Sequence, residues 1–177
     1  MRSVIEVEMA AAPELVFRLV RDVLRWPELL PHYVSVRPAT ATSPDGTLTA
    51  RMVARRPISD LLGLGLPVTW QARIWNEPNL LRLHFRHVAG ATRGMDVTWR
   101  IEPTDRGSRV SIEHDFRPRV AVFAVLVDRW FTRPIAKRTL ATFKTLAEAL
   151  AAESAGSAGP RQATAESDRT SPTNPPA

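Results

Sequence analysis

The 177-residue chain contains no cysteine. That excludes a disulfide framework, a thiolate zinc site and a cysteine nucleophile, and nothing in it calls for an oxidising compartment. Long hydrophobic runs are missing too. Hydrophobic residues make up 44% of the chain, but no stretch approaches the ~18 uninterrupted apolar residues of a membrane span. The N-terminal MRSVIEVEMAA carries acidic residues inside its short apolar run and does not read as a signal peptide. A soluble, cytoplasmic protein without stable membrane insertion is the expectation. Lysine is nearly absent, 22 of the 24 basic residues being arginine spread from Arg2 to Arg169. With no block of five or more basic residues and no zinc-finger or RNP-type signature, the formal charge of +6 reads as a solvated basic surface and not as a nucleic-acid site. No glycine-rich nucleotide loop, Gly-x-Ser-x-Gly elbow or metal-ligand spacing is present, so neither cofactor nor metal is expected.

The length suits one domain with a substantial core. Residues 155–177, AGSAGPRQATAESDRTSPTNPPA, have no large apolar side chain and cannot offset their ordering entropy. A folded domain over 1–154 and a disordered tail over 155–177 follow.

Within the domain, Val4–Met9 reads as a strand, and Pro13 opens a helix whose stripe is Leu15, Val16, Leu19 and Val20. DVLRWPELLP is a short helical turn broken by Pro27 and Pro31. Strands are expected near 33–38, 47–56, 68–76, 80–88, 92–102 and 109–116, separated by the turn signals PDG, NEPN, AG and DRG. From about Val120 to Ala152 the apolar period becomes helical, with Pro134 kinking the helix or marking its start. The segment PISDLLGLGLP, 57–67, departs from the strand pattern. It is either a lid over a cavity mouth or a loop folded onto its own leucines. Strands followed by one long amphipathic helix predict an α+β architecture.

The richest stretch is GMDVTWRIEP, 94–103, followed by RVSIEHDF, 109–116. Met95, Val97, Trp99 and Ile101 share one face of the first strand, and Val110, Ile112, His114 and Phe116 share one face of the second. His114 therefore stands on an apolar face where a leucine would pack at less cost, and must be hydrogen-bonded or functional. Tryptophans at 26, 70, 75, 99 and 130, with Tyr33, either fill the core or wall an apolar ligand cavity. Arg73, Arg86 and His114 favour the cavity, expected at ~300–1,000 Å³.

Taken together, VRDVLRWPELLPHY, WQAR, HVAGATRGMDVTW, RVSIEHDF and IAKRTLATFKTLAE resemble the polyketide aromatase/cyclases of the START-like, helix-grip (SRPBCC) superfamily over nearly all of residues 1–150. The resemblance implies a curved antiparallel sheet wrapped around a long C-terminal helix, preceded by two short N-terminal helices. It implies an interior pocket in which a poly-β-ketone chain, presented by an acyl carrier protein, undergoes regiospecific aldol closure and dehydration. Carried over by position, it makes Arg73, His114 and Tyr33 catalytic, with Trp26, Trp70, Arg86, Met95, Trp99 and Thr139 binding substrate. Arg73 would stabilise an enolate, while His114 and Tyr33 would shuttle protons. Strand alternation alone turns Trp70, Ala72 and Ile74 inward and Arg73 outward; only the resemblance, helped by a bulge near Trp70, brings Arg73 in. On the long helix, where related cyclases present an acidic or amide group, this chain has Thr139 or Arg138, leaving the partner of His114 unassigned. The same superfamily includes coenzyme-Q-binding proteins, so non-catalytic carriage of a lipid or quinone is the alternative.

Overall fold

The computed structural model describes residues 1–59, 64–118 and 126–157. Seven strands form one antiparallel sheet: β1 (Arg2–Met9), β2 (Tyr33–Pro38), β3 (Leu48–Ser59), β4 (Leu64–Glu77), β5 (Arg82–Gly90), β6 (Asp96–Thr104) and β7 (Gly107–Asp115). Between β1 and β2 lie α1 (Pro13–Arg21), a 3-10 turn (Val23–Arg25) and the single-turn α2 (Trp26–Leu29). A π-helical turn (Asp128–Thr132) leads into the long helix α3 (Arg133–Ser157).

The spatial order is β1-β7-β6-β5-β4-β3-β2. Strands β2 to β7 thus form a meander, while β1 returns to pair with β7, Ile5 opposite Ile112. The β6–β7 hairpin closes with Thr104 opposite Gly107, leaving Asp105 and Arg106 as a two-residue turn. Gly107 has φ +135°, and a Cβ there would sit 2.4 Å from the Met9 carbonyl oxygen and 2.7 Å from the Ala11 nitrogen. Only glycine lets this turn lie against the β1–α1 junction.

Strands β6 and β7 bury alternate residues on their inner face. On α3 the buried positions are Ala136, Thr139, Leu140, Phe143 and Ala147, a stripe at helical spacing. Trp26 is the hub between sheet and helix. Its ring centroid lies 5.1 Å from Tyr33, 5.6 Å from Phe85, 5.6 Å from Trp99 and 5.8 Å from Phe143. Its Nε1 donates to the Val20 carbonyl at 3.0 Å, tying α2 to the end of α1. Lys144 Nζ donates to the Glu8 carbonyl at 2.6 Å, and Glu148 accepts from the Ala10 amide at 2.8 Å, so α3 is anchored to the end of β1.

Two boundaries differ from the sequence expectation. The segment 57–67 continues the β3–β4 ladder, Pro57 opposite Gly65 and Ser59 opposite Leu64, with a register shift between Pro57 and Ser59. Extended backbone accommodates Pro57, Gly65 and Pro67, and the rest of that loop, 60–63, lies outside the described residues. The tail was expected from 155, yet helix α3 runs through Ser157, and 158–177 lie outside the described residues. Of the two expectations for Pro134 the structure shows the second, since the long helix starts at Arg133 directly after the π turn. The Arg133 amide bonds to the Asp128 carbonyl five residues back, accommodating a proline that cannot donate.

Candidate functional site

A cavity of about 80 Å³ lies between the concave sheet face and α3. Trp26 and Tyr33 enclose one side, Trp70 and Met95 another, while Trp99 and His114 form part of the sheet wall and Thr139 faces them from α3. These positions come from six separate elements and, for Met95, from the turn before β6, and the long β6–β7 hairpin aligns Trp99 and His114 on one face. The volume falls well below the ~300–1,000 Å³ expected. The close ring contacts around Trp26, edge-to-face with Tyr33 and Phe143 and tilted with Trp99, account for the difference, since the rings occupy the space they were expected to surround.

Arg73 and Arg86 are not in the cavity. They stand opposite each other across β4 and β5 on the outer sheet face, beside Asp45, Thr47, Trp75 and Asp96. Arg86 is ion-paired with Asp96. Alternation on β4 is unbroken, Trp70, Ala72 and Ile74 being buried and Arg73 exposed. A bulge does exist, but the register steps from Gln71–Ala89 to Ala72–His87, so the extra residue belongs to β5 and leaves β4 in phase. The assignment of Arg73 and Arg86 to an interior wall is therefore corrected.

His114 is 6% exposed, and its Nδ1 is buried without a hydrogen-bond partner. Burial pushes its pKa down to about 4; Asp128 pulls it up and Arg133 pushes it further down. It is neutral at pH 7. Asp128, whose carboxylate accepts from Ser3 Oγ at 2.8 Å and from Arg133 Nε at 2.6 Å, is thus the charged pair nearest in effect to His114. Sequence reasoning looked for that group at Thr139 or Arg138, one helical segment too late.

Thr139 serves a different histidine. Its hydroxyl donates to the Ile135 carbonyl at 2.8 Å and lies 2.8 Å from His32 Nε2. A hydroxyl has one proton. With that proton on Ile135, His32 Nε2 must be the donor, which leaves Nδ1 as a bare buried acceptor. Burial, followed by the positive Arg138, lowers the His32 pKa to about 4. Burial raises the Tyr33 phenol far above its usual range, against an opposing hydrogen bond with Thr139, so Tyr33 keeps its proton.

His87 was not singled out from the sequence as a pocket residue, though its spacing from Leu83 and Phe85 put it on their buried face. It lines the cavity, contacts Thr92 Oγ1 through Nδ1 at 2.6 Å and stacks on Trp70 with centroids 5.8 Å apart. Burial, then the neighbouring His114, lower its pKa to about 3, while Asp96 acts in the opposite sense. Met52, Phe85 and Ile112 also line the cavity and were legible only as core. Among the described residues, no group of three or more His, Asp or Glu is placed to hold a metal ion, and no helix is long and apolar enough to cross a membrane.

The family model described as polyketide cyclase / dehydrase and lipid transport matches residues 2–153. The fold is similar to the Zhui aromatase/cyclase from Streptomyces sp. R1128, with TM-score 0.67 and 20% identity over 84% of this chain and 93% of that one. It is similar to the di-domain ARO/CYC BexL from the BE-7585A biosynthetic pathway, with TM-score 0.63 and 22% identity over 82% of this chain and 45% of that one. A START superfamily protein from Mycobacterium smegmatis aligns with TM-score 0.65 and 15% identity over 84% of this chain and 98% of that one. The comparison with curated proteins finds no match.

Proposed function

Because the chain belongs to the polyketide cyclase / dehydrase and lipid transport family, we propose that it takes the ring-forming segment of a poly-β-ketone into its interior cavity and directs aldol closure and dehydration there. The observation that carries this reading is His114, neutral and with an unpartnered Nδ1 in an aromatic, water-poor wall. A neutral imidazole is the form of histidine that can take a proton.

In the proposed sequence His114 removes a proton from a carbon flanked by two ketones, and the resulting enolate carbon attacks a second ketone to form the ring C–C bond. The alkoxide so formed recovers the proton from the imidazolium. A second α-proton then leaves with the β-hydroxyl as water, and enolisation completes the aromatic ring. Tyr33, whose proton is committed to Thr139, offers its phenol oxygen to a substrate hydroxyl, while Trp26, Trp70 and Trp99 restrict how the chain can fold. Delivery by an acyl carrier protein and a cytoplasmic setting accompany this reading.

The cavity wall also favours a second reading. Among its described residues there is no cation to stabilise an enolate, which suits a binder of lipid or quinone with no chemistry of its own. Reconstitution with a minimal polyketide synthase separates the two. Under the cyclase reading the protein shifts product from spontaneous shunts to one regiospecific aromatic, and His114→Ala abolishes the shift. An unchanged product profile would leave binding alone.

A further inference from the structure

The described cavity wall holds two polar side-chain atoms without partners, Trp70 Nε1 and His114 Nδ1, on side chains more than nine-tenths buried. Leaving such atoms unpaired costs stability, so each marks a place where a ligand atom restores what folding removed. Indole N–H can only donate, and therefore asks for an oxygen acceptor. Beside it, the stacked Trp70 and His87 rings present a flat surface.

Among the described lining residues there is no Asp, Glu, Lys or Arg. An anion entering this wall would lose its hydration without gaining a counter-ion. Recruiting one by protonating His114, whose pKa burial holds near 4, costs on the order of a thousandfold at pH 7. A cation fares no better, because the carboxylates that act on the lining histidines are already engaged, Asp128 with Ser3 and Arg133 and Asp96 with Arg86. Size adds a limit. At ~10–15 Å³ of such volume per water, a cavity of about 80 Å³ holds a handful of non-hydrogen atoms, about those of one substituted six-membered ring.

We propose that the cavity selects by charge: it takes a single uncharged ring bearing keto or hydroxyl oxygens, anchored by Trp70 Nε1 and His114 Nδ1, and excludes the same ring carrying a carboxylate. This rests on the small-molecule pocket of the preceding section and not on the cyclisation step. A fatty-acid-like or acid-terminated ligand is therefore outside its range, and an acidic intermediate would have to arrive as a neutral ester, thioester or amide.

Isosteric probes isolate charge from shape. With the full chain at pH 7, calorimetric titration compares pyrrole-2-carboxamide with pyrrole-2-carboxylate, which fit that size limit and differ in charge but hardly in shape. The amide should bind at least tenfold more tightly. Trp70→Phe, which removes the N–H and keeps a ring, should weaken amide binding several-fold, and His114→Leu should do likewise. His114→Gln, which restores hydrogen-bonding capacity, should recover part of the loss, and melting curves identify any variant that has failed to fold. Equal affinity for the two probes, binding of neither, or full amide affinity in both folded Trp70→Phe and His114→Leu would overturn the proposal. If the amide is preferred but no polyketide product is redirected, the cyclase reading fails and this one stands.

Discussion

Replacing His114 with leucine tests the site through stability. In the unfolded chain a histidine titrates near 6.5, whereas in the fold His114 is held near 4. Between those values the unfolded state binds the extra proton, so stability is fully present above about pH 6.5 and is lost as pH falls towards 4. Integrating the linkage relation from pH 7 to pH 5 gives a loss of about 2 kcal/mol from this one group. For a domain of this size that corresponds to ~4–8 °C in melting temperature. His32, held near 4, adds a loss that is the same in both proteins and cancels, whereas His87, which His114 pushes down, is released from that push in the variant, and this change adds to the lead of the variant at low pH. At pH 7 the leucine removes an unpaired buried nitrogen, a gain of ~1–3 kcal/mol, set against a shape mismatch of up to ~1.5 kcal/mol. The variant is expected to match or exceed wild type at pH 7 and to lead it by about 2 kcal/mol more at pH 5. Urea unfolding followed by tryptophan fluorescence at several pH values between 5 and 7 measures both quantities. Parallel stability curves would mean that His114 titrates as a hydrated histidine, and would refute both its burial and its place in the cavity.

Arg73→Ala, on the outer face, should leave cyclisation products unchanged and stability within ~0.5 kcal/mol of wild type; loss of the regiospecific product would place that guanidinium back in the chemistry. Trp26→Ala removes the ring that contacts Tyr33, Phe85, Trp99 and Phe143, and should cost ~3–5 kcal/mol in denaturant unfolding. A change under 1 kcal/mol would show that the ring cluster repacks freely. Gly107→Ala drives a methyl group into the Met9 carbonyl and the Ala11 amide, so thermal melting should show a loss of several degrees, and an unchanged midpoint would contradict this turn geometry.

Local pattern carried much of the fold. Alternation of Met95, Val97, Trp99 and Ile101 against Asp96, Thr98 and Arg100 is a property of the chain itself, because side chains on a strand change face at every residue. The same rule identified His114 as an oddity on a buried face, and it placed Arg73 outside more accurately than position-by-position likeness to a family did. The helical stripe Ala136, Leu140, Phe143 and Ala147 was equally legible, since 3.6-residue periodicity needs no knowledge of what the helix packs against.

Tertiary structure decided what depends on contacts between residues far apart in sequence. The pairing of β1 with β7 joins Arg2 to Asp115, and no local pattern encodes that choice. His32 and Thr139 meet across a sequence separation of 107, giving the threonine to a histidine that sequence reasoning had passed over. Asp128 joins Ser3 only because a π turn ahead of Pro134 sets its side chain against β1. The cavity volume was illegible for the same reason. Composition says how many aromatic rings face inward, but whether they enclose space or fill it depends on their mutual angles, which form only when sheet, short helices and long helix close together.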